Sequence, residues 1–141
     1  MSSITDFFAT AQAELALAPD LTYRRAEMLA PTAEAADQRL QAVLAKQITS
    51  RVSTFADYRH KHQPLPAARE VNIALDSLGQ PQALLYTEDV FIQPFSAITT
   101  IEAQRFGLSL PEWQRQYQGE LALESIAEMV VIEHFRVLYP F

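Results

Sequence analysis

Residues 45–51 read AKQITSR, and how this stretch is read decides the fold. Upstream of it, Pro31 and the candidate N-cap Thr32 open the run AEAADQRLQAVLA, in which Ala36, Leu40, Val43 and Leu44 fall on one helical stripe. From Ile48 the pattern changes. Ile48, Thr49, Val52 and Thr54 are β-branched, which disfavours a helix and suits a strand. The stretch is therefore a helix-to-strand junction, with the helix ending at or just after Lys46. One of only two lysines in the chain stands there, three residues before Thr49 and five before Arg51.

Working outward, Ile4, Phe7, Phe8, Ala11 and Leu15 recur at helical spacing, and Pro19 stops the run, predicting an amphipathic helix over 4–17. After the junction, FADYRHKHQPLP is polar, aromatic and proline-broken, with room for one helical turn. Two apolar runs around SLGQP then predict an antiparallel hairpin whose second strand bends near Glu88 and Asp89. Residues 96–105 return to a helical pattern that ends at Gly107, a natural residue for a helix C-terminus. A further helix begins at Ser109, with Pro111 and Glu112 in its first turn. Trp113 and Tyr117, four apart on one face of that helix, are expected in the core. MVVIEHFRVLY alternates as a long strand, with Val131, Glu133 and Phe135 on one side and Ile132, His134 and Arg136 on the other. Together these elements predict a single α+β domain over 1–141, with helices around a small barrel.

The 141-residue length fits one domain, and 49% hydrophobic with 20% charged residues is ordinary for a self-folding globular protein. The N-terminus lacks a basic region, no run reaches the roughly 18 apolar residues of a membrane span, and there is no cysteine. The expectation is a cytoplasmic protein without a membrane segment or disulfides. A net charge of −6 and a pI near 5.0 work against non-specific binding of polyanions. A local basic pocket escapes that field beyond a Debye length of about 8 Å.

No phosphate-loop, dinucleotide, zinc-protease or nucleophile-elbow motif is present, so no cofactor is expected. His60 and His62 flank Lys61, and His134 is remote in sequence, so the histidines are read as ordinary loop and strand residues and no metal is expected. Tyr58, Arg59, His60, Lys61 and His62 form a basic, aromatic patch suited to a base and its phosphate, or else a solvated loop.

The order of short motifs is more specific than any one of them. A helix leads to KxxTxR (Lys46, Thr49, Arg51), then PLP at 64–66, a strand ending in Asp76, GxP at 79–81, DVFIQPF at 89–95, AxxxGxSLPEW at 103–113 and FRVLYP at 135–140. This series resembles the ASCH-domain family, small β-barrels related to the PUA fold. The resemblance implies an α+β, PUA-like barrel with flanking helices and a nucleoside, nucleotide or RNA ligand. One small bacterial member removes the acetyl group from acetylcytidine with a Lys, a Thr and a Glu. Carried over by motif, Lys46 and Thr49 match the first two and Arg51 matches a following arginine. The position of the Glu, just before Gly107, is Phe106 here, and Glu102 lies one helical turn earlier. Leu44 and Ala45 replace a turn glycine, and Arg69 replaces the glycine after PLP.

Three readings follow. In a hydrolase, Lys46, made less basic by desolvation, takes a proton from Thr49 or from a water that Thr49 orients, Glu102 is the acid, and Arg51 binds carbonyl or phosphate oxygens. In a binding module without chemistry, Arg51, Tyr58 and Arg59 hold the nucleotide or RNA. In a protein-interaction domain, Phe106 blocks the cleft. The plain alternative for Lys46 is a cation at a helix C-terminus, with Thr49 merely filling a strand.

Overall fold

The structure is a computed structural model that describes residues 3–140. It contains α1 (Ile4–Glu14), β1 (Ala26–Met28), α2 (Ala33–Leu44), β2 (Ser50–Thr54), α3 (Phe55–His60), β3 (Val71–Leu75), β4 (Pro81–Pro94), α4 (Thr100–Gln104), α5 (Leu110–Glu120) and β5 (Met129–Tyr139). A 3-10 turn, Phe95–Ala97, precedes α4. The strands form one sheet in the order β1-β3-β4-β5-β2, antiparallel except where β1 runs parallel to β3. The architecture is α+β, a curled half-barrel with helices around it, as the sequence predicts.

The sheet curls because β4 and β5 are long and irregularly paired. Their register shifts between Thr87 and Asp89, where the sequence predicts a bend, and again between Leu84 and Leu85. The β3–β4 turn is built by Asp76, whose Oδ1 accepts from the amides of Leu78 and Gln80 at 2.9 Å each, while Gly79 takes a φ of +78°.

Strand alternation then sorts the core. Val130 and Ile132 of β5 pack on Trp113, Tyr117, Phe95 and Phe106. Phe135 packs on Leu40 and Val43 of α2. Phe8 and Ala11 of α1 cover Val71, Ile73 and Leu84. Trp113 and Tyr117 are both buried, as their helical spacing suggests. α2 and α5 are tied by Arg39, whose Nη1 and Nη2 donate to Glu120 at 2.9 and 2.7 Å while its guanidinium lies 5.4 Å from the Tyr117 ring.

Three elements differ from the sequence reading. β1 lies in a stretch without strand periodicity and exists through pairing with β3, Ala26 to Ile73 and Met28 to Leu75. The helix expected over 96–105 divides, because Ile98 is extended and the Thr99 hydroxyl accepts from the Glu102 amide to start α4 afresh. α1 ends at Glu14, where Leu15 caps it and Ala16 turns to a φ of +52°, well before Leu17.

Candidate nucleotide-binding site

Alternation along β2 points Arg51 and Ser53 to one face, while Val52 packs toward the α5 side. The antiparallel register sets Arg51 directly opposite Glu133 of β5. Glu133 is 2% exposed, a carboxylate on the inner side of a central strand, and it needs compensating charge there. It receives the Nη2 of Arg25 at 3.0 Å and lies 3.6 Å from the Nε of Arg51.

Arg25 is fixed by the start of β1. Its amide and its Nε both donate to Asn72 Oδ1, at 3.1 and 3.4 Å, and its carbonyl accepts from the Ile73 amide. Its Nη1 donates to the Tyr58 hydroxyl at 3.3 Å, and that hydroxyl shares a 3.0 Å hydrogen bond with Ser53 Oγ. Burial alone would lower the pKa of Arg25, but Glu133, Glu27 and Tyr58 outweigh it and hold the guanidinium more firmly charged than usual.

Glu27 completes the group. Its Oε1 accepts from Arg51 Nη2 at 2.7 Å and lies 3.5 Å from Arg25 Nη1. Glu27 belongs to β1 and Arg51 to β2, the two edge strands of the sheet, so the open side of the half-barrel is spanned by side chains. Over this seam opens a cleft of about 420 Å³, lined by Arg25, Glu27, Arg51, Ser53, Tyr58 of α3 and Lys61, which caps that helix. That is room for a nucleotide-sized ligand.

Arg51 and Tyr58 therefore meet in one cleft. Arg59 does not join them: with His60 and Glu128 it lines a separate opening of about 480 Å³ on another side of α3. Lys46 is exposed in the turn after α2, at a φ of +62°. Its amide bonds the Val43 carbonyl at 3.0 Å and the next amide, of Gln47, bonds Ala42 at 2.8 Å, the two bonds of a Schellman cap. Lys46 thus takes the position for which glycine is the usual residue.

Among the described residues neither the Lys46 ammonium nor the Thr49 hydroxyl makes a hydrogen bond. The Thr49 amide donates to the Arg105 carbonyl at 2.8 Å, which brings the Lys46–Thr49 segment against the end of α4. The Glu102 carboxylate lies 2.8 Å from His134 Nε2, and the His134 ring meets Phe91 edge-on at 5.1 Å. Phe106 is 3% exposed, edge-on to Trp113 and Tyr117 at 5.6 and 5.2 Å. Among the described residues no cluster of three or more His, Asp or Glu is gathered for a metal, and no helix is long and apolar enough to cross a membrane.

Sequence reasoning missed Arg25, Glu27 and Glu133. Glu133 carried a signal, since it shares its strand face with Val131 and Phe135, and a charge on such a face calls for partners. Arg25 and Glu27 carried none, because their role depends on the pairing of β1.

The comparisons with known proteins bear on the fold and the family. The ASCH-domain family model matches residues 27–139. The chain is similar to the crystal structure of protein EF3133 from Enterococcus faecalis V583, of the family model DUF984, with a TM-score of 0.86 and 24% identity over 95% of this chain and 86% of that one. It is also similar to an ASCH domain from Lactobacillus crispatus JV V101, with a TM-score of 0.82 and 19% identity over 94% and 92% of the two chains. Among curated proteins none matches the sequence. With the family model spanning most of its length and a PUA-like half-barrel as its frame, the chain belongs to the ASCH-domain family.

Proposed function

We propose that the protein binds a nucleotide or RNA-derived ligand in the Arg25–Arg51–Tyr58 cleft. The observation that carries this reading is the convergence of two guanidinium groups and a tyrosine hydroxyl on one open cavity, in a chain whose net charge is −6. Guanidinium groups suit phosphate oxygens, and the Tyr58 and Ser53 hydroxyls can read polar edges of a base or sugar. Arg59 and His60, across α3, then serve as the next phosphate contact for a strand longer than one nucleotide.

The experiment is a thermal-shift and titration series with the four ribonucleoside 5′-monophosphates and short RNA oligomers, on wild type and Arg51→Met. Stabilisation by at least one ligand class, lost in Arg51→Met although that variant remains folded, is the expected result. No stabilisation by any of them overturns the reading.

A second reading keeps the chemistry of the acetylcytidine hydrolase, with Lys46 as base, Thr49 as nucleophile or water-orienting group and Glu102 as acid. It is favoured by the contact of the Lys46–Thr49 segment with the end of α4, which bears Glu102. Against it stand the engagement of Glu102 with His134 and the burial of Phe106 where the family's Glu is expected. Incubation with acetylcytidine decides between the two: turnover lost in both Lys46→Ala and Thr49→Ala supports hydrolysis, and none by wild type leaves binding.

A further inference from the structure

The cleft is charge-balanced before any ligand arrives. Arg25, Arg51 and Lys61 line it with three positive charges, Glu27 and Asp57 line it with two negative ones, and the buried Glu133 behind the two arginines supplies the third. A phosphate that takes the guanidinium N–H groups now held by a carboxylate has to displace that carboxylate, since like charges at such range repel. The two carboxylates are not equally free to leave.

Glu133 is 2% exposed, on a strand paired on both sides, and its departure would leave Arg25 with an empty buried flank. Glu27 is 37% exposed, on a three-residue edge strand paired on one side only. Rotating its side chain outward delivers the carboxylate to water at little desolvation penalty and bares the Arg51 Nη2 and the Arg25 Nη1. We infer that Glu27 is a built-in competitor for anions, whose carboxylate holds the places on Arg51 and Arg25 that a ligand's phosphate takes. The inference rests on the reading of this cleft as the nucleotide site.

Two consequences follow. Affinity for phosphorylated ligands is set below what the two arginines alone would give, and discrimination against unphosphorylated nucleosides is narrowed by the same amount. Glu27 is thus a specificity-determining residue. Its two ion pairs, both reaching solvent, together correspond to about a five- to tenfold change in affinity.

The test compares wild type, Glu27→Gln and Glu27→Ala by titration calorimetry at fixed ionic strength, with the four ribonucleoside 5′-monophosphates and the matching nucleosides as probes. Both variants are expected to tighten the monophosphates about five- to tenfold and to leave the nucleosides within about twofold. Monophosphate affinity unchanged or weakened in both variants, with wild type binding, overturns the competitor role alone. Equal tightening of nucleosides and monophosphates also overturns it, because Glu27 would then be a steric obstacle. Absence of monophosphate binding in all three proteins overturns the site itself, and the competitor with it.

Discussion

Truncating Glu133 to alanine tests the frame on which the cleft is built. The substitution removes the carboxylate that meets Arg25 at 3.0 Å and Arg51 at 3.6 Å, at a position 2% exposed. Breaking a fully buried pair from one side costs about 3–5 kcal/mol, because the remaining charge is left without compensation. Here the arginines are each 23% exposed and keep Glu27 as a second partner, so the figure falls to about 2–3 kcal/mol. For a chain of this length that lowers Tm by roughly 6–12 °C. Glu133→Gln retains an oxygen for Arg25 and loses only the charge, so it falls between wild type and alanine, at about 1–2 kcal/mol. Urea unfolding at neutral pH, followed by Trp113 fluorescence, gives all three values. If Glu133→Ala costs under about 1 kcal/mol, Glu133 is not the charge that holds Arg25 and Arg51, and the account of the cleft fails.

Two further outcomes follow from other parts of the molecule. Lys46→Gly relieves a φ of +62°, unfavourable by about 1–2 kcal/mol for a residue with a Cβ, against a smaller loss through the unfolded chain. A net gain of about 0.5 kcal/mol in urea unfolding is expected, and a loss of that size would show that the lysine side chain makes stabilising contacts. Burial pushes Tyr117 up to about 12, with Glu120 adding to the shift and Arg39 opposing it. A raised folded-state pKa keeps its stabilising effect below the unfolded value near 10 and loses it as pH rises through 12, so stability falls by up to roughly 2–3 kcal/mol over that window. Tyr117→Phe should flatten this part of the pH profile, and an unchanged slope would assign it to other groups.

How far the sequence could be read depended on the range of the interactions involved. The α2-to-β2 junction, the hairpin around Gly79 and the helix begun by Ser109 are governed by neighbours in sequence; the hairpin and the helix stand where turn chemistry and capping put them, and the junction falls in AKQITSR, although α2 ends at Leu44, two residues before Lys46. β1 could not be seen, because three residues in a polar stretch become a strand only through pairing with β3, some 47 positions away. The cleft divides in the same way. Arg51 and Tyr58 were legible from a motif and a local basic patch. The partners that orient them, Arg25, Glu27 and Glu133, come from opposite ends of the chain, and only the curl of the sheet assembles them. Arg59 shows the limit of sequence adjacency: on α3 consecutive residues diverge by about 100°, so it faces a different opening from Tyr58.

The half-barrel is closed across β1 and β2 by Arg51 and Glu27, not by a backbone ladder. A ladder fixes the spacing of neighbouring strands at about 4.8 Å whatever the residues are. A side-chain clasp has no such fixed gauge. Exchanging glutamate for aspartate, or arginine for lysine, resizes the opening without shifting any strand's register. The size of the opening can therefore be set by single substitutions at its rim while the core stays as it is.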